Sequence, residues 1–312
     1  VVGAVDIGGT KIAVGVVDDC GEVRSRMECP TDAHLGYAAG LERVTGMLRE
    51  TARDANVDIS GIGIGSTGMV YPVSGMFGDV DFLPGWKGFN LMEDLSRTFQ
   101  VKAALENDAD ASALGEANWG AGKGKSRLIC VTVGTGIGGG IILDGQIYRG
   151  ADMSHPEIGH HVIETSGPLC SCGFHGCWES LATGPAMAAW FKERTTDRGY
   201  PAKATAKQIC ELAQQGDEFA LQAVAHEAHY LGLGLANLIN LFVPDMIVLG
   251  GSVMKSAALF LDDIRKVIRQ GCRFVPFERT ELALASLGEN ANLIGAARVW
   301  HHRYGQGRDR AY

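Results

Sequence analysis

Apolar residues alternate with small or polar ones in two stretches that mirror each other. The first runs Val2-Gly-Ala-Val-Asp6-Ile-Gly8-Gly9-Thr10-Lys11-Ile-Ala-Val-Gly-Val-Val-Asp18-Asp-Cys-Gly21-Glu-Val. The second runs Leu128-Ile-Cys-Val-Thr-Val-Gly134-Thr135-Gly136-Ile-Gly138-Gly139-Gly140-Ile-Ile-Leu-Asp144-Gly145-Gln-Ile. Each predicts a strand, a Gly/Thr turn, a second strand, an Asp-Gly-type turn and a third strand. Elsewhere the period becomes helical. Residues 36–55 place Leu41, Val44, Leu48, Thr51 and Ala52 on one face. Further helices are expected over 107–118, 183–195, 205–214, 217–240, 256–270 and 290–303. The run Asp245-Met-Ile-Val-Leu-Gly250-Gly251 predicts a buried strand ending in a glycine turn. A hairpin-plus-helix unit met twice predicts two similar α/β halves with one ligand held between them.

Composition narrows this picture. A chain of 312 residues, 46% of them hydrophobic, can build two domains with a core each. A net charge of −8 without any Lys/Arg run points away from nucleic acid as a partner. No apolar stretch reaches membrane-spanning length, and the first residues read as strand rather than signal peptide. Cys20, Cys29, Cys130, Cys210 and Cys272 are scattered without a pairing pattern, so reduced thiols and a cytoplasmic location are expected.

The glycines cluster in short loops. A Gly/Thr turn between strands offers backbone N–H groups to an anion with no side chain in the way. Lys11 and the hydroxyls of Thr10 and Thr135 add donors, and Asp6 can order a metal-bound water or a lysine. Two such turns in matched context predict phosphate binding. Gly134-x-Gly136-x-x-Gly139 and Gly63-x-Gly65-x-x-Gly68 imitate the dinucleotide fingerprint, but neither is followed by a helix, so an oxidoreductase is disfavoured. Trp119-Gly-Ala-Gly-Lys-Gly124-Lys125-Ser126 lacks the first glycine of a P-loop and precedes a strand, so it reads as a loop.

One histidine and three cysteines fall between His160 and Cys177, with His160 followed by Cys170-Ser-Cys172-Gly-Phe-His-Gly-Cys177. One imidazole and three thiolates form a donor set for tetrahedral zinc. By spacing, either His160 or His175 could supply the nitrogen. Glu157 and Glu179 bracket the cluster as acids at the rim of a rigid frame.

Asp6-Ile-Gly-Gly-Thr-Lys11, Glu106-Asn107-Asp108-Ala109, the Gly134–Gly140 loop, Glu157-Ile-Gly-His160 and Cys170-x-Cys172-Gly-x-x-Gly-Cys177-x-Glu179 stand in the order seen in the ROK family of repressors and sugar kinases, which this chain resembles. The resemblance spans Asp6 to the Leu293–Ala297 segment. It implies the two-domain, actin-like, hexokinase-type ATPase fold with ATP and sugar in a cleft. The small domain would be 1–107 with the C-terminal 288–312 returning to it. The large domain would be 108–287 with a zinc loop at 160–177, and the hinge would lie near 107–109 and 288–291. The resemblance assigns His160, not His175, to zinc with Cys170, Cys172 and Cys177.

It further implies that Asp108 is the catalytic base, taking the proton of a sugar hydroxyl as the phosphoryl group transfers. Asn107 would hold a neighbouring hydroxyl, though capping the helix before Ala109 is its alternative role. Glu157, His160 and Glu179 would hold further hydroxyls. Asp6, Gly8, Gly9, Thr10, Lys11, Gly134, Thr135, Gly136 and Gly138 would face the ATP phosphates and Mg²⁺, with Gly250 and Gly251 beside the adenosine. Only five residues precede Asp6, so the winged-helix module of the repressors is expected to be missing. The expected activity is ATP:hexose 6-phosphotransfer by a homodimer or homotetramer, with a non-catalytic sugar-sensing regulator as the alternative of another class.

Glucose is the first substrate expected and N-acetylmannosamine the second. Family glucokinases have asparagine where Phe82 stands in Asp81-Phe82-Leu83-Pro84-Gly85-Trp86, and Asp81 is the candidate substitute. Ser66-Thr67-Gly68 resembles the N-acetylmannosamine kinase loop and puts Gly68 at the sugar. His155-Pro156 replaces the more usual Ala-Gly before Glu157.

Overall fold

A computed structural model describes residues 1–201 and 203–305. In chain order the strands are β1 (Val2–Ile7), β2 (Lys11–Val17), β3 (Val23–Pro30), β4 (Gly61–Ser66), β5 (Val70–Tyr71), β6 (Met76–Phe77), β7 (Ala103–Asn107), β8 (Leu128–Val133), β9 (Ile137–Leu143), β10 (Gln146–Ile147), β11 (Met246–Gly250) and β12 (Glu281–Leu284). The helices are α1 (Gly36–Ala55), α2 (Leu91–Phe99), α3 (Asp108–Trp119), α4 (Trp178–Leu181), α5 (Gly184–Thr195), α6 (Ala206–Gln214), α7 (Glu218–Phe242), α8 (Leu261–Gly271) and α9 (Ala291–Tyr304).

The duplication is written in the sheets. One runs β3-β2-β1-β4-β7 and the other β10-β9-β8-β11-β12. Each begins as an antiparallel hairpin and continues with parallel strands, β1 beside β4 and β4 beside β7, then β8 beside β11 and β11 beside β12. The parallel strands β4 and β11 are buried along their whole length, as crossover-connected strands are. In α1 the buried face holds Tyr37, Gly40, Val44, Met47, Leu48 and Thr51; Leu41 and Ala52, expected on it, lie at its half-buried margin. The single helix expected over 256–270 is a 3₁₀ stretch, Val253–Leu259, within which Ser256 leaves helical geometry, followed by α8.

The chain forms two compact units. The first is Val1–Ser126, Gly140–Pro156 and Ala285 onward; the second is Arg127–Gly139 and Glu157–Leu284. The helix α3 therefore stands in the first unit, where the sequence reading opens the large domain at 108. Within that unit α9 packs on α3, β4 and β1. The close approach of α9 to α3 depends on glycine, because a Cβ on Gly295 would fall 2.4 Å from the Ala111 carbonyl oxygen. Residues 306–312, the end of the expected returning segment, lie outside the described residues.

Candidate functional site

In the first unit the parallel strands end at one edge of the sheet, and the candidate residues sit there. Asp6 is the penultimate residue of β1, and Gly8 to Thr10 form the turn into β2. The Gly8 N–H donates to the Lys11 carbonyl at 2.9 Å, and the Thr31 hydroxyl donates to the Gly8 carbonyl at 2.6 Å, so the turn is held from inside and from the residue that follows β3. Lys11 reaches outward to Glu28, 3.2 Å away. Asp81 is exposed, and its neighbour Phe82 lies over both Gly9 and Gly68. That ring therefore joins the phosphate-type turn to the Ser66–Gly68 loop.

Asn107 closes β7 and caps α3: its Oδ1 accepts from the Ala109 N–H at 2.9 Å. The capping role weighed from the sequence is thus present, and it leaves Nδ2 for other partners, with the Gly68 carbonyl at 3.5 Å. Asp108 is the first residue of α3, and its own Oδ1 also receives the Ala109 N–H at 2.9 Å. Burial pushes the Asp108 carboxyl above its usual range, against the pull of that N–H and of nearby His155. Asp6 is pushed up to about 7, first by burial and then by the charge of Asp108; the Asn292 amide donates to it at 3.3 Å. An acid whose proton affinity is raised by burial and by a neighbouring carboxyl suits a site that receives positive charge or hands on a proton.

In the second unit, Gly134 to Gly136 form the tight turn from β8 into β9, closed by the Gly134 N–H on the Gly136 carbonyl at 2.9 Å. The Gly184 N–H, at the start of α5, binds the Gly134 carbonyl at 2.9 Å. Gly134 and Thr135 line a pocket of 960 Å³ together with Gly184, Ser252 and the lysines Lys192, Lys203, Lys207 and Lys255. Gly250 ends β11, and Gly251 follows it just before the lining Ser252. Glycine-turn amides, a threonine hydroxyl and four cationic side chains fit a polyanionic ligand of nucleotide size. Those lysines come from α5, α6, the loop before α6 and the 3₁₀ stretch Val253–Leu259, so no spacing in the sequence marks them as a group.

Glu179 lies on α4 and its Oε2 accepts from the Ile137 N–H at 3.0 Å, tying this acid to the glycine turn. Glu157 is exposed and leads into the 3₁₀ turn Ile158–His160. The His160, Cys170, Cys172 and Cys177 donor atoms all lie within 4.8 Å of one another. The His160 Nδ1 is 3.5 Å from the Cys170 sulfur, and the sulfurs of Cys172 and Cys177 are 3.5 Å apart. A tetrahedron with ordinary Zn–N and Zn–S bonds has edges of about 3.6 and 3.8 Å, so these residues fit zinc. His175 is exposed and turns its Nδ1 to the Gly167 carbonyl at 3.0 Å, which leaves His160 as the imidazole of the group. His160 would bind through Nδ1 and keep Nε2 for a further partner.

The ROK family pattern matches residues 2–303. A glucokinase of Streptomyces coelicolor is 36% identical over 312 residues, covering 94% of this chain and 95% of that protein. The ROK hexokinase of Thermus thermophilus is 34% identical, with a TM-score of 0.83 over 96% of this chain and 97% of that one. The ROK family glucokinase of Streptomyces griseus, solved with glucose and AMPPNP, is 33% identical, with a TM-score of 0.79 over 95% and 97%. Regulators match as well: the Bacillus subtilis xylose repressor is 32% identical over 69% of this chain and 54% of its own length. The shared architecture is the actin-like ATPase fold, reached here by two sheets of the same strand order. Matched along nearly its whole length in sequence and in fold, the chain belongs to the ROK family.

Proposed function

We propose that this protein is an ATP-dependent sugar kinase that phosphorylates a hexose at its 6-hydroxyl, with glucose as the preferred acceptor. The observation that carries this reading is Asp108. It stands at the start of α3 with a carboxyl that burial holds above its usual range, beside Asn107 and the Gly68 loop. A sugar hydroxyl is a poor nucleophile, and a base of elevated pKa is better matched to taking its proton. In this reading Asn107 and Glu157, His160 and Glu179 orient the ring by its hydroxyls, with Gly68 and Asp81 beside it.

Each glycine turn, taken within its own unit, reads as a phosphate-binding turn. Asp6, Gly8, Gly9, Thr10 and Lys11 would face the transferring phosphate, and Gly134, Thr135, Gly136 and Gly138 the remaining ones. The four lysines of the pocket neutralise charge, and Gly250 and Gly251 bring the chain to the adenosine side. The Mg²⁺ that accompanies ATP would supply positive charge near Asp6, whose carboxyl burial and the charge of Asp108 push up to about 7. Zinc, held by His160, Cys170, Cys172 and Cys177, would fix the loop preceding Glu179 and the ring of His160.

The glucokinase relatives support glucose as the acceptor. The resemblance of Ser66-Thr67-Gly68 to the N-acetylmannosamine kinase loop supports that sugar as the second reading. A Listeria monocytogenes protein provisionally assigned that activity is a structural neighbour at 27% identity and a TM-score of 0.81, over 97% of this chain and 99% of that one. A coupled ADP-release assay over a panel of free sugars decides. ATP-dependent release with glucose above all others supports the reading, and a larger kcat/KM for N-acetylmannosamine moves it to the second sugar. Sugar binding with no ADP release from any sugar would make this chain a sensor instead.

A further inference from the structure

The close approach of α9 to α3 lines up a chain of hydrogen bonds that ends on Asp6. Gly295 sits against the carbonyl of Ala111, so Asn292, one turn earlier in α9, stands beside Ser112. The Ser112 hydroxyl donates to Oδ1 of Asn292 at 2.8 Å, and Nδ2 of Asn292 donates to Oδ2 of Asp6 at 3.3 Å. Ser112 is buried inside α3, where a serine hydroxyl can turn back to the carbonyl four residues earlier. Here it points across the helix pair instead. An amide has an acceptor end and a donor end, so occupying Oδ1 decides that the NH₂ faces the acid. The reverse orientation would set a carbonyl oxygen against a carboxylate. Asn292 is exposed, so water competes for both of its ends, and the buried hydroxyl is what restricts its rotation. The Asp6 carboxylate makes no other hydrogen bond among the described residues, which leaves Oδ1 open.

We propose that Asn292, oriented by Ser112, is a positioning residue for Asp6: it holds Oδ2 and leaves Oδ1 to meet the Mg²⁺ of the nucleotide or a water bound to that ion. This rests on the reading of Asp6 as an acid of the nucleotide site. Asp6, Ser112 and Asn292 belong to β1, α3 and α9 of one unit, so the arrangement is complete within it. Asn292 is neutral and aims the acid without cancelling the charge that attracts a cation. A carboxylate already held at one oxygen has less rotation to lose when the cation arrives, and affinity gains by that difference.

The tie is read first in the free protein. In amide NMR of the whole chain, the Asn292 side-chain NH₂ pair, assigned by its loss in Asn292→Ala, should have one proton shifted downfield and slowed in exchange with water. Asp6→Asn and Ser112→Ala should each return it toward the position of an exposed asparagine. Calorimetry of ADP, with Mg²⁺ and with EDTA, is the second arm. Ser112→Ala and Asn292→Ala should reduce the Mg²⁺-dependent gain in ADP affinity about two- to tenfold, the range of one neutral hydrogen bond, with the affinity in EDTA unchanged. The double variant should lose no more than Asn292→Ala alone. Alanine is the better helix former, so Ser112→Ala should not lower Tm, which separates aiming Asp6 from merely holding α3 in place. An NH₂ pair indifferent to Asp6→Asn and Ser112→Ala, a Mg²⁺-dependent gain unchanged in both single variants, or losses that add in the double variant would overturn the proposal. A wild-type chain that binds ADP equally with and without Mg²⁺ would overturn it too. One that binds no ADP at all would sink the kinase reading, and the NH₂ signals alone would then decide whether Asn292 holds Asp6.

Discussion

Gly136 offers a substitution whose consequence follows from one distance. A Cβ at that position would lie 2.5 Å from Oε2 of Glu179, closer than any real contact allows. Its φ is not in the left-handed region, so alanine is acceptable to the backbone. The atom in the way is the end of a flexible side chain, so the fold can yield by moving the Glu179 carboxylate. The cost is functional. The bond from the Ile137 N–H at 3.0 Å, which aims this carboxylate, is broken. If Glu179 holds a sugar hydroxyl, its displacement forfeits a charge-assisted hydrogen bond of about 1.5–3 kcal/mol, a weakening of about 10- to 150-fold. Calorimetric titration with glucose in the absence of nucleotide measures this without involving the phosphates. Thermal melting should show little change in Tm. Glu179→Ala should weaken the sugar by a similar factor, and the double variant should add nothing further, because both changes remove one interaction. A glucose Kd that stays at the wild-type value in Gly136→Ala, or full additivity in the double variant, would refute the reasoning.

Two more predictions concern the second unit. Elemental analysis should find one zinc per chain, and Cys172→Ser should lose both the metal and activity; a metal-free protein of full activity would show the four-ligand group to be incidental. Glu227 on α7 is fully buried with neither oxygen hydrogen-bonded among the described residues, and burial raises its pKa well above 4.5. The folded state thus keeps this proton to higher pH than the unfolded chain does. The stability it contributes is complete below about 4.5 and declines by about 1.4 kcal/mol per pH unit until the folded pKa is passed. Urea midpoints should therefore fall less between pH 5 and 8 for Glu227→Gln than for wild type, and parallel profiles would contradict this.

Much of this was legible in the sequence because its signals are local. The twin hairpins and the helices α1, α3 and α5 to α9 follow from periodicity, and the Cys-x-Cys spacing draws attention to a metal. What escaped was non-local or without contrast. The strand β4, Gly-Ile-Gly-Ile-Gly-Ser, is buried at every position, so it has no polar face to alternate with. The strand β12 is only four residues long, too short for a period to declare itself, and α2, though as long as the expected α6, is not among the expected helices. Between His160 and His175 spacing is silent; the orientation of the His175 ring toward Gly167 decides it. The borders of the two units, between 126 and 127, 139 and 140, 156 and 157, and 284 and 285, depend on which distant segments pack together. The pocket lysines are likewise assembled by the fold from separate stretches of chain.

The central claim is that Asp108 takes the proton of a sugar hydroxyl during phosphoryl transfer from ATP. Phosphorus NMR of a reaction with glucose, ATP and Mg²⁺ tests it most directly, run with wild type and with Asp108→Asn at matched concentrations. The account predicts hexose 6-phosphate and ADP from wild type. In the variant it predicts a rate lower by about 10²- to 10⁴-fold, with glucose binding retained. A variant that forms the same product at a near-normal rate would contradict it.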